Sequence, residues 1–239
     1  LRIIGDLTAA GATYRALEFT GDTVEAMSLS SRMTMANMGI EAGAKCALFA
    51  PDEKTAEYLG IELTEAERAL AGDADAPCER VLRYRAEDFV PVMALPSNVD
   101  HVAAIRDLEP VAIDQVFLGS CTNGRLEDLM AAAEILKGKH IAPFVKLIVT
   151  PASRKIWEEA EANGTLAILS AAGAMITHPS CGLCCGRTGG ILSDGERVVA
   201  TNNRNFLGRM GSSKVEIYLA SPKSAAASAL AGKLTEATC

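Results

Sequence analysis

The segment HPSCGLCCG, residues 178–186, carries three cysteines, Cys181, Cys184 and Cys185, within five residues. Thiols at this spacing can form a redox pair, bind zinc or hold an iron–sulfur cluster, or they can be small buried packing residues. A thioredoxin-like pair follows the first strand of a small domain, whereas this motif lies deep in the chain, which disfavours redox chemistry. A structural zinc site usually has a second ligand pair, and the sequence has no second Cys-x-x-Cys motif.

An iron–sulfur cluster is a third chemical possibility. Glycines flank the cysteines of this segment and would let backbone N–H groups reach inorganic sulfide. Cys121, in the segment GSCTNGR, stands at the end of a predicted strand and is the candidate for a third thiolate. Three thiolates would leave one iron of a cubane open to substrate. On the residues alone, the redox pair, the cluster and buried thiols all stay open.

The elements that must position these cysteines alternate between strands and helices, which indicates an α/β fold. Ligands in such folds collect at the carboxyl ends of the strands, where Cys121 stands. An irregular stretch at 95–110 divides the chain into two predicted α/β domains, 1–96 and 97–239. Strands are predicted at 13–21, 45–50 (short and buried), 114–121 and 144–151, and helices at 52–60, 125–139 (apolar at 126, 129, 130 and 136) and 152–164.

Composition narrows the class of ligand. The formal net charge of -7 gives no basic face for nucleic acid or an anionic membrane, which points to a small ligand. No apolar run reaches the length of a membrane span, and no signal peptide is visible, so we expect a cytoplasmic protein. Seven cysteines, an odd number with uneven spacing, favour metal ligation or chemistry over a disulfide framework.

Four segments together carry a resemblance to a known family. MTMANMGIEAGAK, FLGSCTNGRLEDL, PSCGLCCG and ATNNRNFLGRMG, spread over residues 33–211, resemble the aconitase family of hydro-lyases. Within it they are similar to the large subunits of 3-isopropylmalate dehydratase and to the homoaconitase and dimethylmalate dehydratase relatives. The resemblance implies two consecutive three-layer α/β domains of the family's large-subunit type, corresponding to its second and third domains.

The resemblance also implies the cofactor. In that family three cysteines hold a 4Fe–4S cluster with one open iron, and they match Cys121, Cys181 and Cys184. The open iron acts as a Lewis acid on the substrate hydroxyl and a carboxylate. Cys185 departs from the pattern, because an aliphatic residue is usual there, and we interpret it as a packed thiol that does not bind iron.

The remaining site residues are likewise implied by matching motifs. Arg204 and Arg209 correspond to guanidinium groups that clamp substrate carboxylates, and Asn203 to a hydrogen-bond donor near the cluster. Asn37 corresponds to a second donor on the cluster side, and Glu41 to the carboxylate that orients an active-site histidine. Their i, i+4 spacing would place Asn37 and Glu41 on one face of a helix.

The implied function is the isomerisation of 2-isopropylmalate and 3-isopropylmalate by dehydration and rehydration, a step of leucine biosynthesis. Homoaconitate and 2,3-dimethylmalate stay open as alternative hydroxy-dicarboxylate substrates. The family's N-terminal domain and its swivelling domain, a separate small subunit in the isopropylmalate enzymes, supply acid–base groups. We expect both to lie outside these 239 residues, which would leave the isolated chain nearly inactive. An iron–sulfur sensor without catalysis is the alternative of another class, and the acidic charge disfavours RNA binding by it.

Overall fold

The computed structural model describes residues 1–73 and 75–237. The chain forms two compact units, a smaller one of Ala10–Val90 and a larger one of Leu1–Ala9 with Pro91–Cys239. Residues 91–96 belong to the larger unit because Ala94 pairs with Leu219 in its sheet. The correspondence of 1–96 and 97–239 with two family domains stays a prediction.

Strands and helices alternate along most of the chain, which confirms the predicted α/β class. The strands are β1 (Ala16–Phe19), β2 (Cys46–Phe49), β3 (Val92–Ala94), β4 (Val102–Ala104), β5 (Gln115–Gly119), β6 (Lys146–Thr150), β7 (Ala174–Ile176), β8 (Arg197–Ala200) and β9 (Glu216–Leu219). The α-helices are α1 (Arg2–Leu7), α2 (Asp22–Ala26), α3 (Leu29–Met38), α4 (Glu53–Leu59), α5 (Glu65–Arg68), α6 (Ser120–Asn123), α7 (Leu126–Leu136), α8 (Arg154–Ala162), α9 (Thr165–Ala171) and α10 (Pro222–Ala231). Short 3₁₀ turns occupy Gly39–Ala42, Ala86–Asp88, Ile105–Asp107 and Gly182–Cys185.

The larger unit is built on a seven-stranded sheet with the strand order β4-β3-β9-β8-β5-β6-β7. The five strands from β9 to β7 run parallel to their neighbours, whereas β3 and β4 are antiparallel. Every residue of β5 is buried, as expected for a central parallel strand covered on both faces. The carboxyl ends of β8, β5 and β6 therefore lie side by side along one edge of the sheet.

Different parts of the chain cover the two faces of this sheet. Helices α7 to α10 cover one face, where Val116 and Leu118 join the main hydrophobic core. On the opposite face, the loop after β7 lies so close that a side chain at Gly182 would meet the Phe117 ring at 3.3 Å. A side chain at Gly190 would overlap Ile148.

Helix α7 forms as predicted, except for one residue of its buried face. Leu129 and Leu136 are fully buried, but Met130 is 49% exposed, so its predicted place in the apolar stripe is wrong. The reason is the helical period: Ala132 and Ala133, rather than Met130, share the face of Leu129.

The smaller unit contains a two-stranded parallel sheet in which β1 pairs with β2. The predicted strand at 45–50 forms, but the prediction that it is buried is wrong. Exposed and partly buried residues alternate along β2, and Leu48 is 52% exposed. Helix α3 packs against β2, and a side chain at Gly39 would meet Ala47 Cβ at 2.7 Å. Two strands with one helix against them leave part of the sheet uncovered.

A buried ion pair ties the helices of the smaller unit together. Arg32, only 3% exposed, binds Asp52 through Nη2 at 2.7 Å, and its Nε donates to the Val24 carbonyl at 3.1 Å. Asp52 also caps α4 by accepting from the Thr55 amide at 3.2 Å. Burial raises the pKa of Asp52, but the hydrogen bonds and the charge of Arg32 outweigh it, so this pKa lies below its usual value.

None of the helices in the described part of the chain has the length and apolarity needed to cross a bilayer.

Candidate functional site

Three loops meet at the carboxyl edge of the larger sheet. Gly119, the last residue of β5, pairs with Thr150, the last residue of β6, while β8 ends at Ala200 on the other side of β5. The chain continues from β5 through Ser120 into Cys121 and from β8 directly into Thr201. Cys121 thus lies at the strand edge where α/β folds bind ligands, as the sequence predicts.

The turn that carries Cys121 needs an unusual backbone. Gly119 has φ +139, and a side chain there would overlap the carbonyl oxygen of Thr150. Ser120 has φ +71, in the left-handed region that residues with a side chain rarely adopt, and the single turn of α6 follows. Arg125 supports this turn by donating from Nη2 to the Cys121 carbonyl at 3.2 Å. The predicted loop after β5 is therefore a tight helical turn that packs against Thr150 and leaves no room for a side chain at Gly119.

The second cysteine segment packs against the end of β6. A side chain at Gly182, φ +53, would come within 2.8 Å of Thr150 Oγ1, so only glycine allows this approach. A side chain at Gly186, φ +64, would come within 2.6 Å of the Arg209 carbonyl oxygen. Cys181 is exposed, Cys184 is buried and Cys185 is partly buried. The glycines of the motif thus bring the Cys184 turn against both the sheet and the loop after β8.

The Cys184 thiol is surrounded by groups from the other two loops. Arg209 Nη2 donates to its Sγ at 3.6 Å, and the Asn202 side chain lies beside it. Burial raises the pKa of the Cys184 thiol, and the neighbouring Cys121 adds to the rise, while Arg209 and Asn202 oppose it. Cys121 and Arg209 therefore lie close enough to Cys184 to change the pKa of its thiol.

Buried polar atoms without partners cluster around these cysteines. Among the described residues, Asn202 Oδ1, Arg209 Nε and Arg125 Nε are buried without a hydrogen-bond partner. Buried guanidinium donors next to thiols suit an anionic, thiolate-bound group such as an iron–sulfur cluster, because such a group accepts hydrogen bonds at its sulfur atoms. Over residues 1–73 and 75–237, no three His, Cys, Asp or Glu side chains are close enough to form a metal-binding group. The donor chemistry thus fits a cluster, although the thiols are not gathered into a closed site.

The loop after β8 carries the other predicted residues of this unit. Asn203 and Arg204 are partly buried, and the Arg204 carbonyl accepts from Asn202 Nδ2 at 2.9 Å. Asn205 fastens the loop to the sheet, since its buried Nδ2 donates to the Leu95 carbonyl at 2.8 Å. The Arg209 guanidinium lies over the Phe206 ring at 5.4 Å. The roles of Asn203 and Arg204 toward substrate stay predictions.

Asn37 and Glu41 lie in the smaller unit and are both partly buried. Asn37 is in the last turn of α3, which ends at Met38, whereas Glu41 is in the 3₁₀ turn Gly39–Ala42. Asn37 and Glu41 therefore do not lie on one α-helix, because a 3₁₀ turn with about three residues per turn follows Met38; that they share a face stays a prediction. Their roles toward the cluster and an active-site histidine stay predictions.

Four residues near the cysteines were not predicted from the sequence: Thr201, Asn202, Arg125 and Asp128. Asn202 could not be distinguished from Asn203 by sequence, because a loop lacks the helical or strand periodicity that predicts which side chains are buried. Asp128 accepts from the Arg125 amide at 3.0 Å at the start of α7. Burial, partly offset by this hydrogen bond, raises the pKa of Asp128 to about 6. The sequence shows that Asp128 is an acidic residue at the third position of a helix, which is a known capping signal. It does not show that the side chain is buried.

Comparison with known proteins gives one family. The model of the family described as aconitase family (aconitate hydratase) matches residues 1–112 and 98–232. The chain is 48% identical over 99% of its length to the 3-isopropylmalate dehydratase large subunit 1 of Methanopyrus kandleri, covering 56% of that protein. It is 46% identical over 99% of its length to the large subunit 2 of Archaeoglobus fulgidus, covering 57%, and 47% identical over 97% to the large subunit of Halothermothrix orenii, covering 55%. The chain spans a little over half the length of these curated relatives.

Proposed function

Since this chain belongs to the aconitase family, we propose that it is the part of a hydro-lyase large subunit that holds the cofactor. The reaction we assign is the isomerisation of 2-isopropylmalate and 3-isopropylmalate by dehydration and rehydration. The observation that carries the proposal is the neighbourhood of Cys184, where Cys121 and Arg209 approach its thiol at the carboxyl edge of the sheet. The relatives at 46–48% identity bear the name of this dehydratase.

We assign Cys121, Cys181 and Cys184 as the residues that hold a 4Fe–4S cluster with one open iron. When bound, the cluster would supply Lewis-acid polarisation of the substrate hydroxyl and a carboxylate. Cys184 must lose its proton to serve as a ligand, and its raised pKa makes uptake depend on the hydrogen bond from Arg209. A reducing compartment such as the cytoplasm keeps these thiols available.

The arginines of the loop after β8 bind the dicarboxylate in this proposal. Arg209 is held by its ring contact with Phe206 and carries an unpaired Nε, which leaves a guanidinium donor for a carboxylate oxygen. Arg204 follows Asn202 in the same loop and supplies the second cation. Bidentate pairing with planar guanidinium groups selects a carboxylate and fixes its orientation, which a lysine would do less well.

Activity in this proposal needs partners, since the chain spans only a little over half of its relatives and those relatives are named large subunits. We assign a small, swivel-domain subunit and the family's N-terminal domain as the suppliers of acid–base groups. General acid–base help contributes about 10²- to 10⁴-fold to a rate, which is the activity that these parts would add.

The test is anaerobic reconstitution with iron and sulfide and one-electron reduction with dithionite, followed by EPR spectroscopy with and without 3-isopropylmalate. We expect a cluster signal that shifts on addition of the substrate, because an open iron would contact it. Replacing Cys184 by Ser should abolish the signal, whereas replacing the adjacent Cys185 by Ser should leave it unchanged. A Cys184→Ser variant that still assembles the same cluster would refute the ligand assignment.

Substrate identity needs its own measurement. With a small subunit supplied in trans to the full-length large subunit, turnover of 3-isopropylmalate should exceed that of homoaconitate and 2,3-dimethylmalate. The reverse order would leave the hydro-lyase assignment intact and overturn the isopropylmalate assignment.

A further inference from the structure

Thr201 joins the turn of Cys121 to strand β8. Its side chain is fully buried, and its Oγ1 accepts from the Gly119 amide at 2.9 Å. Its backbone continues the sheet by donating to the Phe117 carbonyl at 3.0 Å. Its own carbonyl accepts from Asn123 Nδ2 at 2.7 Å. Both ends of the turn that carries Cys121 are thus hydrogen-bonded to one residue of the neighbouring strand.

The next residue along the chain reaches the other cysteine segment. Asn202 is 2% exposed, its Nδ2 donates to the Arg204 carbonyl at 2.9 Å, and its side chain lies beside the Cys184 thiol. The adjacent residues Thr201 and Asn202 therefore link the turn of Cys121 to the surroundings of Cys184.

We propose that Thr201 is a positioning residue, whose hydroxyl holds the Cys121 turn in register with Cys184 through the Gly119 amide. The consequence for a metal group rests on the proposed function, whereas the effect on the turn does not. Ser120 has a left-handed backbone conformation that is unfavourable for a residue with a side chain, so the turn should relax when the hydroxyl is removed.

The experiment compares three variants of the chain. Thr201→Val removes the hydroxyl at nearly constant volume, and Thr201→Ser keeps it. Thr165→Val is the matched control, because Thr165 is a buried threonine at the start of α9 rather than at the cysteine loops. Urea unfolding of all three measures any general loss of stability.

The first readout needs no metal. Hydrogen exchange of the peptide that spans Cys121 should be about fivefold faster in Thr201→Val, the equivalent of one neutral hydrogen bond. It should be unchanged in Thr201→Ser and in Thr165→Val. Equal exchange in Thr201→Val and in the unmodified chain would overturn the proposal, whatever the metal content.

The second readout is the rate at which a chelator removes iron from the reconstituted protein. We expect Thr201→Val to lose iron about fivefold faster than the unmodified chain, with Thr201→Ser restoring the slower rate. Faster exchange without faster iron loss would overturn the role of Thr201 toward the metal ligands. An unmodified chain that takes up no iron would refute the proposed function, while the exchange measurement would still decide the role of Thr201.

Discussion

Replacing Asp128 by Asn should stabilise the larger unit at neutral pH. The Asp128 carboxyl is partly buried at the start of α7, and burial raises its pKa from 3.8 to about 6. At about 1.4 kcal/mol per pKa unit, this shift corresponds to a penalty of about 3 kcal/mol once the carboxyl is ionised. The positive end of the helix dipole stabilises an ionised carboxylate by about 0.5 to 1 kcal/mol. The expected increase in the free energy of unfolding on replacing Asp128 by Asn is therefore about 2 kcal/mol.

The sign of the pH dependence follows from the two states of the chain. Below pH about 4 the carboxyl is protonated in both the folded and the unfolded chain, and no penalty arises. Between about pH 4 and pH 6 the unfolded chain ionises first, so the stability of the unmodified protein falls as the pH rises. Above the folded-state pKa of about 6 the full penalty is present and the curve levels off.

The assay is urea unfolding at several pH values between 4 and 8, followed by the fluorescence of Trp157, the single tryptophan, in helix α8. The advantage of Asp128→Asn should be near zero at the acid end and reach about 2 kcal/mol at neutral pH. Glu161→Gln is the control, since Glu161 is exposed on helix α8 and its neutralisation should change stability by less than about 0.5 kcal/mol. An advantage that is the same at every pH would show that burial of the charge is not its cause.

Three further perturbations address the backbone, the smaller unit and the cysteines. Gly119→Ala should lower the free energy of unfolding by more than about 4 kcal/mol or prevent folding, because its methyl group would overlap backbone atoms. The control Gly138→Ala, at φ +72 in open space, should lower it by about 1 kcal/mol. Similar urea midpoints for the two variants would contradict this prediction. Arg32→Met should destabilise the smaller unit by about 3 kcal/mol, because it leaves the Asp52 carboxylate without its buried partner. The measurement is hydrogen exchange in residues 22–60, which should become faster. Exchange at the wild-type rate would count against a stabilising role of the ion pair. In the chelator-treated chain, Cys184 should react with iodoacetamide more slowly than Cys181, because burial shields its thiol and raises its pKa. Mass spectrometry of the alkylated peptides measures both rates. Equal rates would refute the burial of Cys184.

Much of the larger unit follows from patterns that the sequence displays. Apolar runs give the parallel strands, and the position of Cys121 after β5 predicts its place at the carboxyl edge. Helical period predicts α7, but one residue at the margin of a stripe is easily assigned to the wrong side, as with Met130. Strand burial depends on how many neighbours the sheet has, which explains the error at β2.

The site is predictable only in part, because its contacts come from loops. The approach of Arg209 to Cys184 depends on Gly186 allowing two backbones to touch, which no spacing rule describes. The i, i+4 spacing of Asn37 and Glu41 cannot indicate that an α-helix changes into a 3₁₀ turn between them. Side-chain roles in such segments need coordinates, while the types of residue present are already visible in the sequence.

The central position of β5 has a consequence for how the protein is made. Its neighbours β6 and β8 are synthesised after it, and the loop of Asn202 and Arg209 comes later still. The groups that surround Cys184 therefore cannot meet until most of the chain has left the ribosome, since pairing of distant strands is a late folding event. If the chain holds the proposed cluster, iron and sulfide would therefore enter a nearly finished fold rather than bind the cysteines as they are synthesised.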